Sequence, residues 1–302
     1  TANRLNKRNA AGHYLPIKRM NMKNMLTLIV LLSSWLTVYS QESYTEAELK
    51  QKCDSIVEEA NTLYRYETAA WNFTDMIFAK PGLIETIQNI LTYHQGDSIK
   101  CVAIDKQSYC IYEATFLNEL APCSEVTTRR NLTEQEILLA KIKEKIRSEL
   151  ADHEKYPIYR YDNYPLNWDL IPFADGYKFY AISGVSKGRA IPFGNDYLFI
   201  ANKEGEIQSW KKFHSRLIPV EATEQMPMIA FPVHSHLKYE PFISATDICT
   251  FRLYYNKTGS TKFAVYSTAL SMYFIYELAT NTITPTKDIN FNSTPLSEKT
   301  GL

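Results

Sequence analysis

Between residues 45 and 79, small or apolar side chains recur at 49, 53, 56, 60, 63, 70, 74 and 77. Steps of four and three place them on one face of a helix. Thr45-Glu46-Ala47-Glu48 is a capping-box start, and Pro81-Gly82 is a stop. The spacing therefore predicts one long helix with a single buried stripe. The stripe lacks its member at position 67, where Glu67 stands, and Trp71 and Asp75 follow on the same side. A carboxylate on an apolar stripe is costly unless it is paired, hydrogen-bonded or bound to a metal. Two readings stay open: the stripe drifts and leaves Glu67 in solvent, or Glu67 is a buried acid facing another part of the fold.

The remaining pattern is mixed. Leu83–Tyr93 reads as a short second helix, 99–104 and 109–115 as a strand hairpin, and 118–130 as loop. Thr133-Glu134-Gln135-Glu136 is a second capping box, opening a helix to about 152. After a break at Asp162–Pro165, strand patterns cover Tyr177–Ser183, Tyr197–Ala201, Glu206–Phe213 and Met228–His234. A helix over Thr246–Tyr255 and strands at Phe263–Ser267 and Met272–Leu278 follow, with a loose Thr/Asn/Pro-rich tail from about 280. Strands and helices do not alternate as βαβ units, so the fold class is α+β. A long helix and a β-hairpin occupy 41–130, and a strand-rich domain with a mixed sheet and flanking helices occupies 131–302.

Residues 1–40 carry six basic side chains and no acid. Met22-Lys23-Asn24-Met25 leads into an apolar run, Leu26–Trp35, and then Val38-Tyr39-Ser40 before Gln41. This is the pattern of a cleavable export signal over 20–40, too short for a comfortable membrane span of about 20 residues. Residues 1–19 read as an unfolded upstream extension. The expected location is periplasmic or extracellular, in a Gram-negative bacterium. Of the 33 Lys and Arg, 27 remain beyond residue 40 against 33 Asp and Glu. That acidic balance argues against a nucleic-acid partner. The 21 tyrosines suit half-exposed sheet faces. Export permits disulfides, and a bridge between Cys101 and Cys110 across the hairpin is one option; buried free thiols are the other. The odd total, with Cys53, Cys123 and Cys249, leaves a thiol unpaired.

Metal-ligand chemistry concentrates at His234-Ser235-His236, with Ser244 and Asp247 beyond it. Residues i and i+2 of a strand share a face, so both imidazoles can reach one ion, and Asp247 at a helix start adds a carboxylate. Two His, one carboxylate and a water form a catalytic zinc arrangement. Such an ion brings its water to a pKa near 7. Ser244 would stabilise the oxyanion. The plain alternative is a His pair on an ordinary strand and a Ser-x-x-Asp helix cap. His214 reads as an ordinary strand-end residue.

His234-Ser235-His236, seven residues, Ser244, two residues and Asp247 resembles the signature of the JAB/MPN (JAMM) metalloproteases. The resemblance implies a JAMM-like core in the C-terminal half. Zinc would sit on His234, His236 and Asp247, Ser244 would stabilise the oxyanion, and the substrate would be a peptide or protein. The family also places a catalytic glutamate well upstream on an early core strand. The matching window here, 169–189, holds Asp169 and Asp175 and no Glu. Glu67 is the outside candidate for that base. A non-catalytic envelope or binding protein with a degenerate JAMM-like core is the competing function. The fragments Leu63–Glu67, Leu170-Ile171-Pro172, Gly194–Tyr197 and Thr246–Cys249 also resemble those of uncharacterised exported proteins of Bacteroidetes.

Overall fold

The computed structural model describes residues 44–117, 121–188, 190–221 and 231–288. The export signal and upstream extension expected over 1–40 lie outside the described residues, as do 228–230 of the strand expected over 228–234. No described helix is long and apolar enough to cross a membrane.

Helix α1 (Glu46–Phe78) starts on the Thr45 capping box, as its sequence requires. A 3-10 turn at Ile84–Thr86 leads into the first sheet, an antiparallel meander β1 (Ile87–Gln95), β2 (Ser98–Asp105), β3 (Tyr109–Phe116) and β4 (Pro122–Asn131). Helix α2 (Glu134–Glu149) follows. The second sheet has the order β5 (Leu166–Phe173), β6 (Gly176–Ser183), β8 (Tyr197–Ala201), β9 (Ile207–Lys212). Its excursion β7 (Ala190–Gly194) pairs antiparallel with β10 (Leu217–Glu221). The third sheet is β11 (Val233–His236), β12 (Lys262–Ser267), β13 (Met272–Glu277) and β14 (Thr282–Thr286), with helix α3 (Ala245–Thr258) between β11 and β12. Among the described residues only the β11–β12 pair is parallel, and α3 supplies the crossover such a pair needs. The molecule is α+β.

Three expected elements differ. Leu83–Tyr93 imitates a helix because Leu83, Ile84, Ile87, Ile90 and Leu91 fall at helical steps. Pairing with β2 along the whole of β1 overrides that local preference and buries Leu91 and Tyr93. The stretch expected as loop over 118–130 contains β4, whose Glu125, Arg129 and Arg130 disguise a strand lying at a sheet edge. The tail from 280 begins with β14, bonded to β13 through Thr282–Thr286. The tyrosines are also more deeply placed than expected. Tyr66, Tyr112, Tyr156, Tyr180, Tyr197 and Tyr276 are among the largest fully buried side chains.

Helix α1 is central. Leu63, Tyr66, Phe73 and Ile77 pack on β2 and β3, while its first turns, through Leu49, Cys53 and Ala60, join α3 and the third sheet. The stripe predicted at 49, 53, 60, 63 and 77 is buried, but it rotates in the middle so that Tyr66, Ala69 and Phe73 take over from 70 and 74. Glu67 stays buried at the place the original stripe gives it. Helix α2 packs Leu139, Ile142 and Ile146 against both the first and second sheets. Its Glu136 is fully buried, clamped by Arg130 at 2.8 Å on each oxygen and by the Tyr93 hydroxyl at 2.9 Å. Burial alone would raise its pKa, but the Arg130 guanidinium, the Thr133 N–H and the Tyr93 hydroxyl together outweigh that and hold it at about 2.

The same residue closes the α2 capping box, with Thr133 N–H donating to Glu136 Oε2 at 2.8 Å and Glu136 N–H donating to Thr133 Oγ1 at 3.2 Å. Thr133→Ala is expected to cost about 1 kcal/mol. Urea unfolding should show a lower midpoint with an unchanged slope. The five cysteines are free thiols. Cys101 pairs across the ladder with Ala114, not with Cys110, and the two thiols sit in different core clusters. The hairpin bridge is therefore excluded.

Candidate metal centre

Strand β11 presents His234 and His236 to one side, as the i, i+2 rule requires. Its parallel pairing with Val265 and Ser267 of β12 fixes that face toward the start of α3. There Ser244 is the N-cap and Asp247 the third helical residue of a reciprocal capping box. Ser244 donates its backbone N–H at 2.9 Å and its hydroxyl at 2.7 Å to Asp247 Oδ2, which locks the carboxylate in place. Ser244 is thus both the cap that the plain reading allowed and a positioner of Asp247.

A fourth side chain completes the group. His214, in the connection between β9 and β10, joins His234, His236 and Asp247, with one ligand atom from each lying within 4.8 Å of all the others. The reading of His214 as an ordinary strand-end residue is corrected by this placement. His214 Nε2 lies 2.8 Å from His236 Nε2 and 3.3 Å from His234 Nε2. Asp247 Oδ1 lies 3.2 Å from Nε2 of His214 and of His234, and Oδ2 lies 3.2 Å from Nε2 of His236. The four residues are 1–7 % exposed.

The ring nitrogens facing away from this point decide the tautomers. His236 Nδ1 lies 2.6 Å from the Phe242 carbonyl, and His214 Nδ1 lies 2.7 Å from Asp196 Oδ1. Both partners only accept, so both Nδ1 atoms carry the proton. With both rings neutral, each turns an Nε2 lone pair on the other at 2.8 Å, beside a carboxylate, and a proton or a metal cation among them relieves the repulsion. Asp247 Oδ1, buried, faces Nε2 of His214 and of His234, and a proton on either ring or a shared cation would satisfy it. Two nitrogens on one zinc, each about 2.0–2.1 Å from it at a tetrahedral angle, stand about 3.3 Å apart. The spacings at this centre fit one ion.

Without an ion, a proton on His214 balances the same charges. Burial alone would raise the Asp247 pKa, but the surrounding imidazoles outweigh it and hold the carboxyl well below its usual range. Burial would lower His214, but the Asp196 and Asp247 carboxylates outweigh it and hold the ring well above its usual value. Burial lowers His234. Asp196 acts through His214: it fixes the ring's tautomer and aim, as outer carboxylates do for ligating histidines. It is itself held by the Thr246 hydroxyl on α3. Asp196 reaches this position because the chain turns sharply at Gly194 (φ 78°) and Asn195 (φ 53°). A Cβ on Gly194 would sit 2.3 Å from the Arg216 carbonyl, so the turn requires glycine.

Neither His214 nor Asp196 was found from sequence, since each stands in a turn about 20 or more residues from the His-x-His pair with no period linking them. Glu67 is not in this group. It is 2 % exposed and lines a separate cavity of about 400 Å³ with Asp169, 3 % exposed. Trp71 and Asp75, placed beside it by helical spacing, line the same cavity. No family model, curated protein or solved structure matches this chain.

Proposed function

We propose that this chain is an exported metalloprotein holding one zinc ion on His214, His234, His236 and Asp247. The ion's task in this reading is to lock three parts of the fold together. The observation that carries it is the convergence of three imidazoles and one carboxylate, all buried, with ligand atoms within 4.8 Å of one another. Imidazole donors suit zinc, and four protein ligands in a closed tetrahedron are the mark of a structural rather than a catalytic site. Bound zinc would supply folding free energy there. His214 occupies the place that a catalytic water would need. The Ser244 hydroxyl donates to Asp247 rather than standing free for an oxyanion. Export rests on the basic start, apolar run and small residues of 22–40.

A zinc-dependent peptidase or amidase of the JAMM type is the second reading. What favours it is the spacing of His234, His236, Ser244 and Asp247, carried on a strand and a helix start. It requires His214 to leave the ion to a water and a carboxylate to serve as base.

Elemental analysis of purified protein should give about one zinc per chain, and none in a His234→Ala variant. Protein without any bound transition metal would overturn both readings. Chelator-sensitive cleavage of unfolded protein substrates would overturn the closed-site reading and favour the peptidase.

A further inference from the structure

The cavity beside Glu67 is the second concentration of chemistry in the fold, and the metal centre makes no use of it. It opens between α1, α2 and β5, with Ile90 and Thr92 of β1 and Tyr254 of α3 in its walls. Its volume, about 400 Å³, lies within the range of small-ligand sites, roughly 300–1,000 Å³.

Its polar floor is unusual. Asn167 Nδ2 donates to Glu67 Oε2 at 3.0 Å. The buried atoms Glu67 Oε1 and Asp169 Oδ2 receive no N–H or O–H group among the described residues. The two buried carboxyls line the same cavity, and neighbouring carboxylates out of water cannot both stay ionised, so the pair holds a proton. Lys143 lines the same cavity and donates to the Ile90 carbonyl at 2.8 Å. The floor therefore offers acceptors and donors side by side, and the charge of the proton-sharing pair is met by that of Lys143.

The walls are aromatic. Trp71 is 36 % exposed, its ring 5.3 Å from Tyr254. Trp168 is braced by stacking on Phe179 at 5.2 Å. Two indoles above a balanced set of donors and acceptors suit a ligand with apolar C–H faces and hydroxyl edges. A simple cation would meet Lys143, and a simple anion would meet the carboxyls.

We propose that this cavity is a second ligand site, separate from the metal centre, which takes a small neutral polyhydroxylated ligand such as a sugar ring. Trp71 and Trp168 pack on the ring face, and Glu67, Asp169 and Asn167 bond its hydroxyls. The site binds rather than cleaves.

The test is a tryptophan-fluorescence titration of the purified chain with glucose, galactose, mannose, xylose, N-acetylglucosamine and their dimers, with choline chloride as the cationic comparison. At least one neutral saccharide should give a saturable change. Trp71→Ala should weaken its binding about tenfold or more, as loss of an aromatic face does. Calorimetry, which does not depend on the indole signal, reads that loss directly. Zinc content and melting temperature of the variant guard against a folding defect. Saturation by choline alone, no response to any saccharide at tens of millimolar, or undiminished saccharide binding by the variant would each overturn the proposal.

Discussion

Asp247→Asn is expected to strip the metal centre and to lower stability by about 4 kcal/mol, in the range found when one member of a buried charged group is removed. In a fold of this size that is a fall of about 8–16 °C in melting temperature. Asparagine keeps an oxygen for the Ser244 hydroxyl and backbone N–H, so the helix start survives. What it loses is the negative charge among His214, His234 and His236. Ser244→Ala is the control. It removes the cap, for about 1 kcal/mol, and leaves the metal in place. Equal losses from the two variants, with zinc retained in both, would reduce Asp247 to a capping residue. The metal should also bind more weakly as the pH falls, because ligating imidazoles must be unprotonated. A chelator added to the native chain at pH 7 should reproduce the Asp247→Asn melting temperature.

The sequence was most legible where one local rule acted alone. The capping boxes at Thr45 and Thr133 and the apolar stripe of α1 specify helices whose ends the structure reproduces within a few residues. His234 and His236 share a face because a strand alternates, and Asp247 meets them because Ser244 caps a helix at the right distance. Where tertiary pairing overrode local preference, sequence was misleading. The helical spacing of Leu83–Leu91 yielded to the ladder with β2, and the charged residues of β4 concealed an edge strand. His214 and Asp196 stayed invisible for a different reason. They are joined by the β7–β10 pairing and the Gly194 turn, contacts that leave no periodic trace. Their absence from the sequence reading mattered, because His214 is what changes an open arrangement of three ligands into a closed one of four.

Glu67 was singled out as an acid out of place, and the structure supplies the physics for a second large effect. Burial, then the Asp169 carboxylate, push its pKa well above the usual range, and burial raises Asp169 as well. The folded chain therefore holds a proton that the unfolded chain has released. A raised carboxyl pKa gives stability that is complete below the ordinary carboxyl range, near pH 4, and is lost as the pH rises toward the folded value. The slope is about 1.4 kcal/mol per pH unit for one proton. In Glu67→Gln the amide oxygen still accepts from Asn167, while the amide N–H₂ brings a permanent donor to a floor where Asp169 Oδ2 has none among the described residues. That variant is expected to match the parent at pH 4 and to be more stable by about 2 kcal/mol or more at pH 7, where the wild-type slope has accumulated. Urea unfolding between pH 4 and 7.5 reads the difference. The upper limit matters, because burial brings Lys143 down to about 8 and its own titration enters above it. Parallel profiles for the two proteins would show that no proton is shared. A flattened profile would show that Glu67 and Asp169 hold one between them, on the floor of a cavity with room for a ligand to use it.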